Sequence, residues 1–258
     1  MHVKPDPSGF PQRKLAEVPA VLPGLMRDLQ RIAQEEYGID ILQINENGGR
    51  AAARIALAML GGRARGQRIV VLAGGGNKGA TGLCAVRHLV NWGFTVEPVF
   101  AGLEEEMSFA ARRQVEILRH AGIVEPADQA NSEITVEEHL ASADLVIDAV
   151  AGYGLEGPPA GAAAAAVDLA CSSKRPILAL DVPTGVSATS GQVYTPAIKA
   201  CTTIALDLPK RGVIEAASRE HVGELYLADL GIPATLYDRM GIHSHDIFTE
   251  GPVIRIRR

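Results

Sequence analysis

Apolar residues recur at helical spacing in the first part of the chain. Between residues 22 and 33 they repeat every three or four positions, and Gly38 follows as a C-terminal stop. A second apolar stripe covers residues 41–59 and ends at the glycine pair 61–62. This pattern predicts two amphipathic helices ahead of the first strand.

The pattern changes from residue 68 onward. Short apolar runs rich in β-branched residues alternate with helix-like stretches at residues 83–92, 104–121 and 160–172. The runs are RIVVLA, TVEPVF, DLVIDAV, PILALD, TTIALD and ELYLAD. Such alternation is typical of a parallel sheet covered by helices on both faces. We therefore predict an α/β fold, a three-layer α/β/α Rossmann-like sandwich with a mostly parallel central sheet.

Length and composition favour a single large domain. A chain of 258 residues with 47% hydrophobic content can bury a full core. Residues 1–20 are polar and proline-containing without periodicity, so we predict a flexible N-terminal arm there. The folded domain is predicted over residues 21–240, and residues 241–258 are predicted to be a C-terminal tail.

The net charge and the cysteine content indicate which binding partners and which cellular compartment to expect. The chain has 25 basic and 30 acidic residues, a formal charge of −5, which makes nucleic-acid binding unlikely. No window approaches the roughly 18 to 20 apolar residues of a membrane-spanning helix. Cys84, Cys171 and Cys201 lie far apart, unlike a disulfide framework, so we expect a cytoplasmic protein without a membrane partner.

Polar residues gather where three of the predicted strands end. The first strand runs into the glycine-rich loop 74–82, another ends on Asp148, and a third ends on Asp181. In doubly wound sheets the ligand crevice lies outside the carboxyl ends of the strands. The three loops are therefore expected to face one cleft.

The glycine-rich loop alone leaves several interpretations open. Gly74, Gly76 and Gly79 satisfy G-x-G-x-x-G, and Glu97 follows about 20 residues later, as in dinucleotide-binding fingerprints. That match is weak, because short glycine patterns recur by chance. A Walker loop is excluded, since Lys78 is not followed by serine or threonine. The glycines also suit a plain strand-to-helix turn, and each strand-end aspartate suits simple capping of the turn that follows it.

Five segments in chain order resemble the YjeF N-terminal domain family, whose enzymatic members are NAD(P)H-hydrate epimerases. They are EEYGIDILQINENGGRAAA, VLAGGGNKGATGLCAVRHL, DLVIDAVAGYGLEGP, LALDVPTGVSATSGQ and TIALDLPKRGV, and the resemblance covers about residues 20–236. It implies that the glycine loop cradles the substrate phosphates and that the last segment is the late strand leading to Pro-Lys.

The resemblance also implies roles for individual residues. Asp181 matches the catalytic, substrate-binding aspartate of the family, and Asp148 and Thr184 match residues of a potassium site. The implied substrate-binding residues, besides Asp181, are Gly76, Asn77, Lys78, Gly79, Ala80 and Thr81 in the glycine loop and Gly152, Tyr153, Gly154, Leu155, Glu156, Gly157 and Pro158 in the second loop.

The glycine loop departs from the family pattern. Lys78 stands where the family has a potassium-ligating asparagine, and Ala80 and Thr81 replace a Gly-Asp pair. An ammonium beside Asp148 and Thr184 would repel potassium and is itself a monovalent cation. Two interpretations are open: Lys78 is a built-in substitute for potassium, or the site has lost both its ion and its reaction.

The resemblance therefore predicts an enzyme of metabolite repair that interconverts the C6 epimers of hydrated NAD(P)H, with Asp181 moving the proton. One alternative is a catalytically divergent protein that binds or transforms another nucleotide or small metabolite. Another is a non-catalytic dimerisation or interaction module. The resemblance further implies a homodimer and a separate NAD(P)H-hydrate dehydratase, because this chain is too short to include a dehydratase domain.

Overall fold

The computed structural model describes residues 9–125, 135–242 and 246–258. The strands are β1 (Gln12–Lys14), β2 (Arg68–Ala73), β3 (Thr95–Phe100), β4 (Leu145–Ala149), β5 (Ile177–Leu180), β6 (Thr202–Leu206), β7 (Glu224–Ala228) and β8 (Val253–Arg257). The α-helices are α1 (Pro23–Glu35), α2 (Ile41–Met59), α3 (Asn77–Asn91), α4 (Phe109–His120), α5 (Val136–Ser142), α6 (Gly161–Ser172), α7 (Arg211–Ile214), α8 (Arg219–Val222) and α9 (Ala234–Arg239).

The strands form one eight-stranded sheet in the order β1-β8-β7-β6-β5-β4-β2-β3. All neighbouring strands pair in parallel except β7 and β8, which are antiparallel. The predicted α/β fold with a mostly parallel sheet is confirmed. The order places the carboxyl ends of β2, β4, β5 and β6 side by side, where the polar strand ends meet.

Alternate residues of the central strands face two separate cores. In β2, Ile69 and Val71 join the core on the α1–α4 side of the sheet, whereas Val70 and Leu72 join the core against α5 and α6. A strand with apolar side chains on both faces must be covered on both faces. This pattern accounts for the three layers.

The two ends of the folded domain differ from the prediction. Residues 12–14 and 253–257 were expected in a flexible arm and a tail, but they form β1 and β8 of the sheet. Phe10 is also buried and packs edge-on against Tyr226, with ring centroids 5.7 Å apart. Strands of three and five residues with alternating arginines give little hydrophobic signal, so the sequence pattern did not reveal them. Residues 1–8 of the predicted arm lie outside the described residues.

Helix α3 begins earlier than the pattern predicted. It starts at Asn77 instead of residue 83, because the glycine-rich stretch forms the first turns of the helix. These glycines let backbone segments approach closely: a Cβ at Gly79 would lie 1.7 Å from the carbonyl oxygen of Gly74, and one at Gly49 of α2 would lie 2.7 Å from the Cβ of Cys84. The start of α3 is therefore held tightly against the end of β2 and against α2.

Gly79→Ala tests this close approach. We expect it to lower the free energy of unfolding by at least about 3 kcal/mol, because a methyl group cannot fit beside the backbone of Gly74. Gly24→Ala in α1 is the matched control, since its Cβ would meet no atom within 4 Å, and alanine should stabilise that helix by up to about 1 kcal/mol. Urea unfolding of both variants checks the prediction, and equal stability would contradict the packing.

Candidate active site

The polar strand ends surround a cleft of about 390 Å³. Its floor and walls come from the ends of β2, β4, β5 and β6, the first turn of α3, and residues of α1 and α2. The lining residues are Gln30, Ile41, Ile44, Asn45, Gly76, Asn77, Lys78, Thr81, Val150, Ala151, Gly152, Tyr153, Gly154, Leu155, Asp181, Leu206 and Leu230. The three predicted loops do meet at one cleft of the size that small-molecule sites have.

The N-terminus of α3 opens into this cleft. Gly76 is the N-cap residue, and it makes no side-chain cap, so the space in front of the helix is not filled by the protein. The first backbone N–H groups of a helix have no partner within the helix, and the helix dipole adds positive potential. This terminus is suited to bind a phosphate group.

Lys78 extends from the first turn of α3 into a cage of oxygen atoms. Its ammonium donates hydrogen bonds to Asp148 Oδ2 at 2.9 Å, to the Ala151 carbonyl at 2.9 Å and to the Val182 carbonyl at 2.8 Å. The hydroxyl oxygen of Thr184 lies 3.1 Å away. The side chain is almost wholly buried, at 5% exposure. Burial lowers the pKa of Lys78, and the adjacent Asp148 carboxylate opposes that effect.

Asp148 and Thr184 complete the cage. Asp148 Oδ1 accepts hydrogen bonds from the Thr184 hydroxyl at 2.6 Å and from the Val150 amide at 3.1 Å, while Oδ2 accepts from the Thr184 amide at 2.9 Å. Because the Thr184 hydroxyl hydrogen goes to Asp148, its oxygen is left to accept from the Ala151 amide and faces the Lys78 ammonium, whose three hydrogens are shared among four oxygen atoms. Every donor and acceptor in the cage thus has a partner.

This arrangement does not fit a resident potassium ion. The oxygen atoms around Lys78 Nζ lie at 2.8 to 3.1 Å and are a carboxylate, a hydroxyl and two carbonyls, a donor set that suits a hard cation. The lysine ammonium already stands at the centre of that set. A metal ion in the same place would have to displace Lys78 from four partners.

Asp181 forms the floor of the cleft directly after β5. Its φ is +62°, in the left-handed region, and its amide donates to the Ile204 carbonyl at 2.7 Å. Its Oδ1 accepts from Lys210 Nζ at 2.5 Å and from the Leu206 amide at 3.3 Å. The residue is 2% exposed and borders the cleft. Strained backbone of this kind is frequent at functional sites.

Tyr153 covers the floor from the second loop. Its hydroxyl donates to Gln30 Oε1 at 2.7 Å, which joins the loop to α1, and its ring centroid lies 5.4 Å from Lys210 Nζ. Burial raises the pKa of the Tyr153 phenol above its usual value. The ring is therefore a neutral, apolar wall beside Asp181.

Two further polar side chains of the cleft, Thr81 and Asn45, meet each other. The Thr81 hydroxyl lies 3.1 Å from both Asn45 Oδ1 and the Asn77 carbonyl. Asn45 is 1% exposed, and its Nδ2 has no hydrogen-bond partner within the described part of the chain. An unpaired buried amide next to a cleft is suited to bind a polar group of a ligand.

The structure separates the predicted binding residues into groups. Of those in the glycine loop, Gly79 and Ala80 do not line the cleft, because the helical turn directs them toward the sheet. In the second loop, Glu156 and Gly157 line a neighbouring depression that shares Tyr153 and Leu155 with the cleft, and Pro158 is exposed away from both. The remaining predicted substrate-binding residues border the cleft.

Several lining or supporting residues were not among the predicted site residues. Lys210 lies behind Asp181, and Asn45, Gln30 and Leu230 line the cleft. For Asn45 and Lys210, the only signal in the sequence was that each lies in a segment that resembles the YjeF N-terminal domain family. A lysine and an asparagine are usually surface residues, so their burial depends on the tertiary fold.

A second cluster of possible metal ligands lies away from the cleft, between α2 and α3. Glu46, Cys84 and His88 place ligand atoms within 4.8 Å of one another. The Glu46 carboxylate, however, already contacts Arg87 and lies 2.9 Å from His88 Nε2. Burial raises the pKa of the Cys84 thiol well above its usual value, so this cluster is better explained by its ion pair.

Known proteins resemble the chain in both sequence and fold. The family profile described as YjeF-related protein N-terminus matches residues 42–212. A protein of Dehalogenimonas lykanthroporepellens named NAD(P)H-hydrate epimerase is 36% identical over 93% of this chain and 94% of its own. A protein of Moorella thermoacetica named bifunctional NAD(P)H-hydrate repair enzyme Nnr is 32% identical over 82% of this chain, a match that spans 40% of that longer protein.

The fold is also similar to that of a solved structure. The crystal structure of the yeast protein ynu0, YNL200c, aligns with a TM-score of 0.77 over 92% of this chain and 100% of its own. The sequence identity is 22%, so this likeness supports the fold alone. Within the described residues, no helix is both long and apolar enough to cross a membrane.

Asp207, a buried residue directly after β6, supplies a prediction about pH and stability. Burial raises the pKa of this carboxyl group from 3.8 to about 6, although Tyr237 and Lys210 oppose the effect. The folded state therefore binds the proton more tightly than the unfolded state, and this group's contribution to stability falls as pH rises through that window. At about 1.4 kcal/mol per pKa unit, the change is on the order of 3 kcal/mol.

Asp207→Asn removes this titration. We expect the unfolding free energy of the unsubstituted protein, minus that of the variant, to be larger at pH 4 than at pH 7. Urea unfolding at both pH values measures the difference. A difference that stays constant between the two would contradict a raised pKa at Asp207.

Proposed function

The chain belongs to the family of YjeF-related protein N-termini, and on that premise we propose that it is an NAD(P)H-hydrate epimerase, an isomerase of metabolite repair. Its substrate is hydrated NADH or NADPH, which carries a hydroxyl group on C6 of the reduced nicotinamide ring. The observation that carries the proposal is the buried carboxylate of Asp181 at the floor of a cleft into which the N-terminus of α3 opens. Relatives that bear the epimerase name span nearly the whole of this chain.

Epimerisation at C6 requires the C6–O bond to break and to form again on the opposite face. A proton delivered to the hydroxyl lets it leave as water, while the ring nitrogen lone pair stabilises the cation that remains. A water molecule then adds to the other face and gives up a proton, so the proton count balances. In its protonated form, Asp181 is the group proposed to deliver this proton, and its carboxylate, the form paired with Lys210 in the structure, recovers a proton from the water that adds.

The cleft offers a matching place for each part of the substrate. The free amides at the start of α3 suit the phosphates. The apolar side chains of Tyr153, Leu206 and Leu230 that line the cleft suit the ring, and the Asn45 amide is available to a polar substituent. Because Asp181 lines the same cleft, a ring held among these side chains can place its reacting carbon beside the Asp181 carboxyl group.

We further propose that the reaction does not use potassium. The Lys78 ammonium holds the place of the ion among Asp148, Thr184 and two backbone carbonyls. A lysine ammonium and a potassium ion carry the same charge, so the cage keeps its charge balance without a mobile ion. No step of the mechanism passes through a metal.

The location, the oligomeric state and the partner enzyme of the protein are part of the same proposal. We propose a cytoplasmic homodimer that acts with a separate NAD(P)H-hydrate dehydratase. The longer relatives named bifunctional repair enzymes support a second repair activity beyond the matched region, because the match to this chain spans 40% of one of them. Leu103 and Phe109 are 63% and 64% exposed and supply apolar surface for a contact between subunits.

A second candidate function is binding or conversion of another nucleotide or small metabolite in the same cleft. Thr81 favours it, because it stands where the family carries an acidic residue and instead contacts Asn45. A purely non-catalytic interaction module fits less well, since a buried, strained Asp181 costs stability that such a module would not need.

Asp181→Asn tests the catalytic role. We expect kcat for interconversion of the C6 epimers to fall roughly 100- to 10,000-fold, because an amide cannot take up and return the proton. Asp168→Asn, on the exposed face of α6, is the matched control and should keep full activity. Separation of the two epimers by chromatography over time measures both rates. Full epimerase activity in the Asp181 variant would show that this assignment is wrong.

Lys78→Asn tests the replacement of potassium. The unsubstituted protein should turn over equally in potassium chloride and in tetramethylammonium chloride at equal ionic strength. The variant leaves Asp148 without its cation, so its activity and melting temperature should be low and should rise when potassium is added. Lys199→Asn, at an exposed lysine, is the control. Stimulation of the unsubstituted protein by potassium, or a variant indifferent to it, would contradict the proposal.

A further inference from the structure

We propose that Lys210 is a positioning residue for this reaction, which holds one oxygen of Asp181 so that the other oxygen faces the substrate. The inference rests on the proposed function. Lys210 does not line the cleft and is not expected to touch substrate, so its effect is exerted through Asp181.

The burial of Lys210 requires an explanation. The residue is fully buried, although lysine is almost never so unless it is paired. Its ammonium donates to Asp181 Oδ1 at 2.5 Å and to the Leu206 carbonyl at 2.8 Å. Removing such a charge from water is costly. A buried ion pair adds little to stability, so stability alone does not explain why Lys210 is buried beside Asp181. A role in orienting the Asp181 carboxyl group explains it.

The backbone on both sides of Lys210 is fixed. The Val21 amide donates to the Pro209 carbonyl at 2.9 Å, and the Arg211 amide donates to the Val21 carbonyl at 2.9 Å. These bonds tie the residues before and after Lys210 to the segment that precedes α1. The base of the lysine side chain is therefore anchored to rigid structure, as positioning of a reacting group requires.

The two oxygens of Asp181 have different surroundings. Within the described residues, both hydrogen bonds to this side chain are on Oδ1, from Lys210 and from the Leu206 amide. Oδ2 lies toward Gly152, where a Cβ would stand 3.3 Å from it, and Gly152 lines the cleft. Oδ1 is thus the anchored oxygen, and Oδ2 is the one directed to the reacting carbon.

The neighbouring cation Lys78 is not free to take over this task. Lys78 also lies near Asp181, but its ammonium is committed to Asp148 and three further oxygen atoms. The Tyr153 ring covers Lys210 from the cleft side, with its centroid 5.4 Å from Nζ, and shields the ion pair from water. Loss of Lys210 would leave the Asp181 carboxylate free to turn away from its working orientation.

Lys210→Gln is the test variant, since glutamine is neutral and shorter. We expect kcat for epimer interconversion to fall roughly 10- to 100-fold, because a reacting group that is misplaced by about 1 Å loses that much rate. KM should stay within about threefold, since the binding surfaces are unchanged. Lys199→Gln, at an exposed lysine that pairs with Glu220, should match the unsubstituted protein in both values.

A second pair of variants distinguishes the loss of positioning from a folding defect. Lys210→Met leaves Asp181 buried without its partner, whereas the double variant Asp181→Asn with Lys210→Met removes both charges and should regain the melting temperature. If Lys210 acts through Asp181, the double variant should be no slower than Asp181→Asn alone. A further loss in the double variant would overturn the inference.

The remaining outcomes separate the inference from the function on which it rests. An active unsubstituted protein with a Lys210→Gln variant of equal kcat would overturn the inference alone. So would a parallel loss of kcat and of affinity for substrate, because that result indicates collapse of the cleft. An unsubstituted protein without epimerase turnover would overturn both the function and the inference.

Discussion

The buried ion pair between Lys78 and Asp148 is the interaction on which the site depends. It joins the first turn of α3 to the end of β4, and through the Val182 carbonyl and Thr184 it reaches the loop after β5. A buried charge must be paired and hydrogen-bonded to be tolerated. The positions of three separate chain segments are therefore tied to one ammonium group, and the cleft that they border takes its shape from it.

A second buried pair stands beside the first at the cleft floor. Asp181 and Lys210 repeat the combination of a carboxylate and an ammonium, so two positive and two negative groups are enclosed together. Each charge is compensated by covalently attached groups of the chain. An ion-binding site would depend on the salt around the protein, whereas we propose that this floor does not. As a consequence, removal of either lysine leaves a buried carboxylate without its partner.

The sequence predicted the parts of the molecule that follow from repeating patterns. Alternating apolar runs indicated the sheet, and Asp148 and Asp181 stood out because they end apolar strands. Lys210 did not stand out, because lysine is usually an exposed residue and only the tertiary fold shows that this one reaches Asp181. Local spacing likewise could not show that the glycine-rich segment begins α3, because glycine is a poor helix former and the turn is stabilised by contacts with the end of β2.

The two strands at the chain ends were the other part that the sequence pattern did not reveal. β1 and β8 are short and contain arginines, and β8 lies between β1, the edge strand, and β7. Their hydrogen bonds are made by backbone groups that every residue carries, so composition says little about them. The central strands, which are apolar on both faces, do not have this difficulty.

The most direct test of the central claim is a crystal structure in rubidium chloride, with the anomalous signal of rubidium used to locate cations. Rubidium is a close analogue of potassium and is readily distinguished from a lysine nitrogen. The account predicts no rubidium between Asp148 and Thr184 in the unsubstituted protein, with Lys78 Nζ at that place. A rubidium peak there, with Lys78 turned away, would contradict the claim that the chain supplies its own cation.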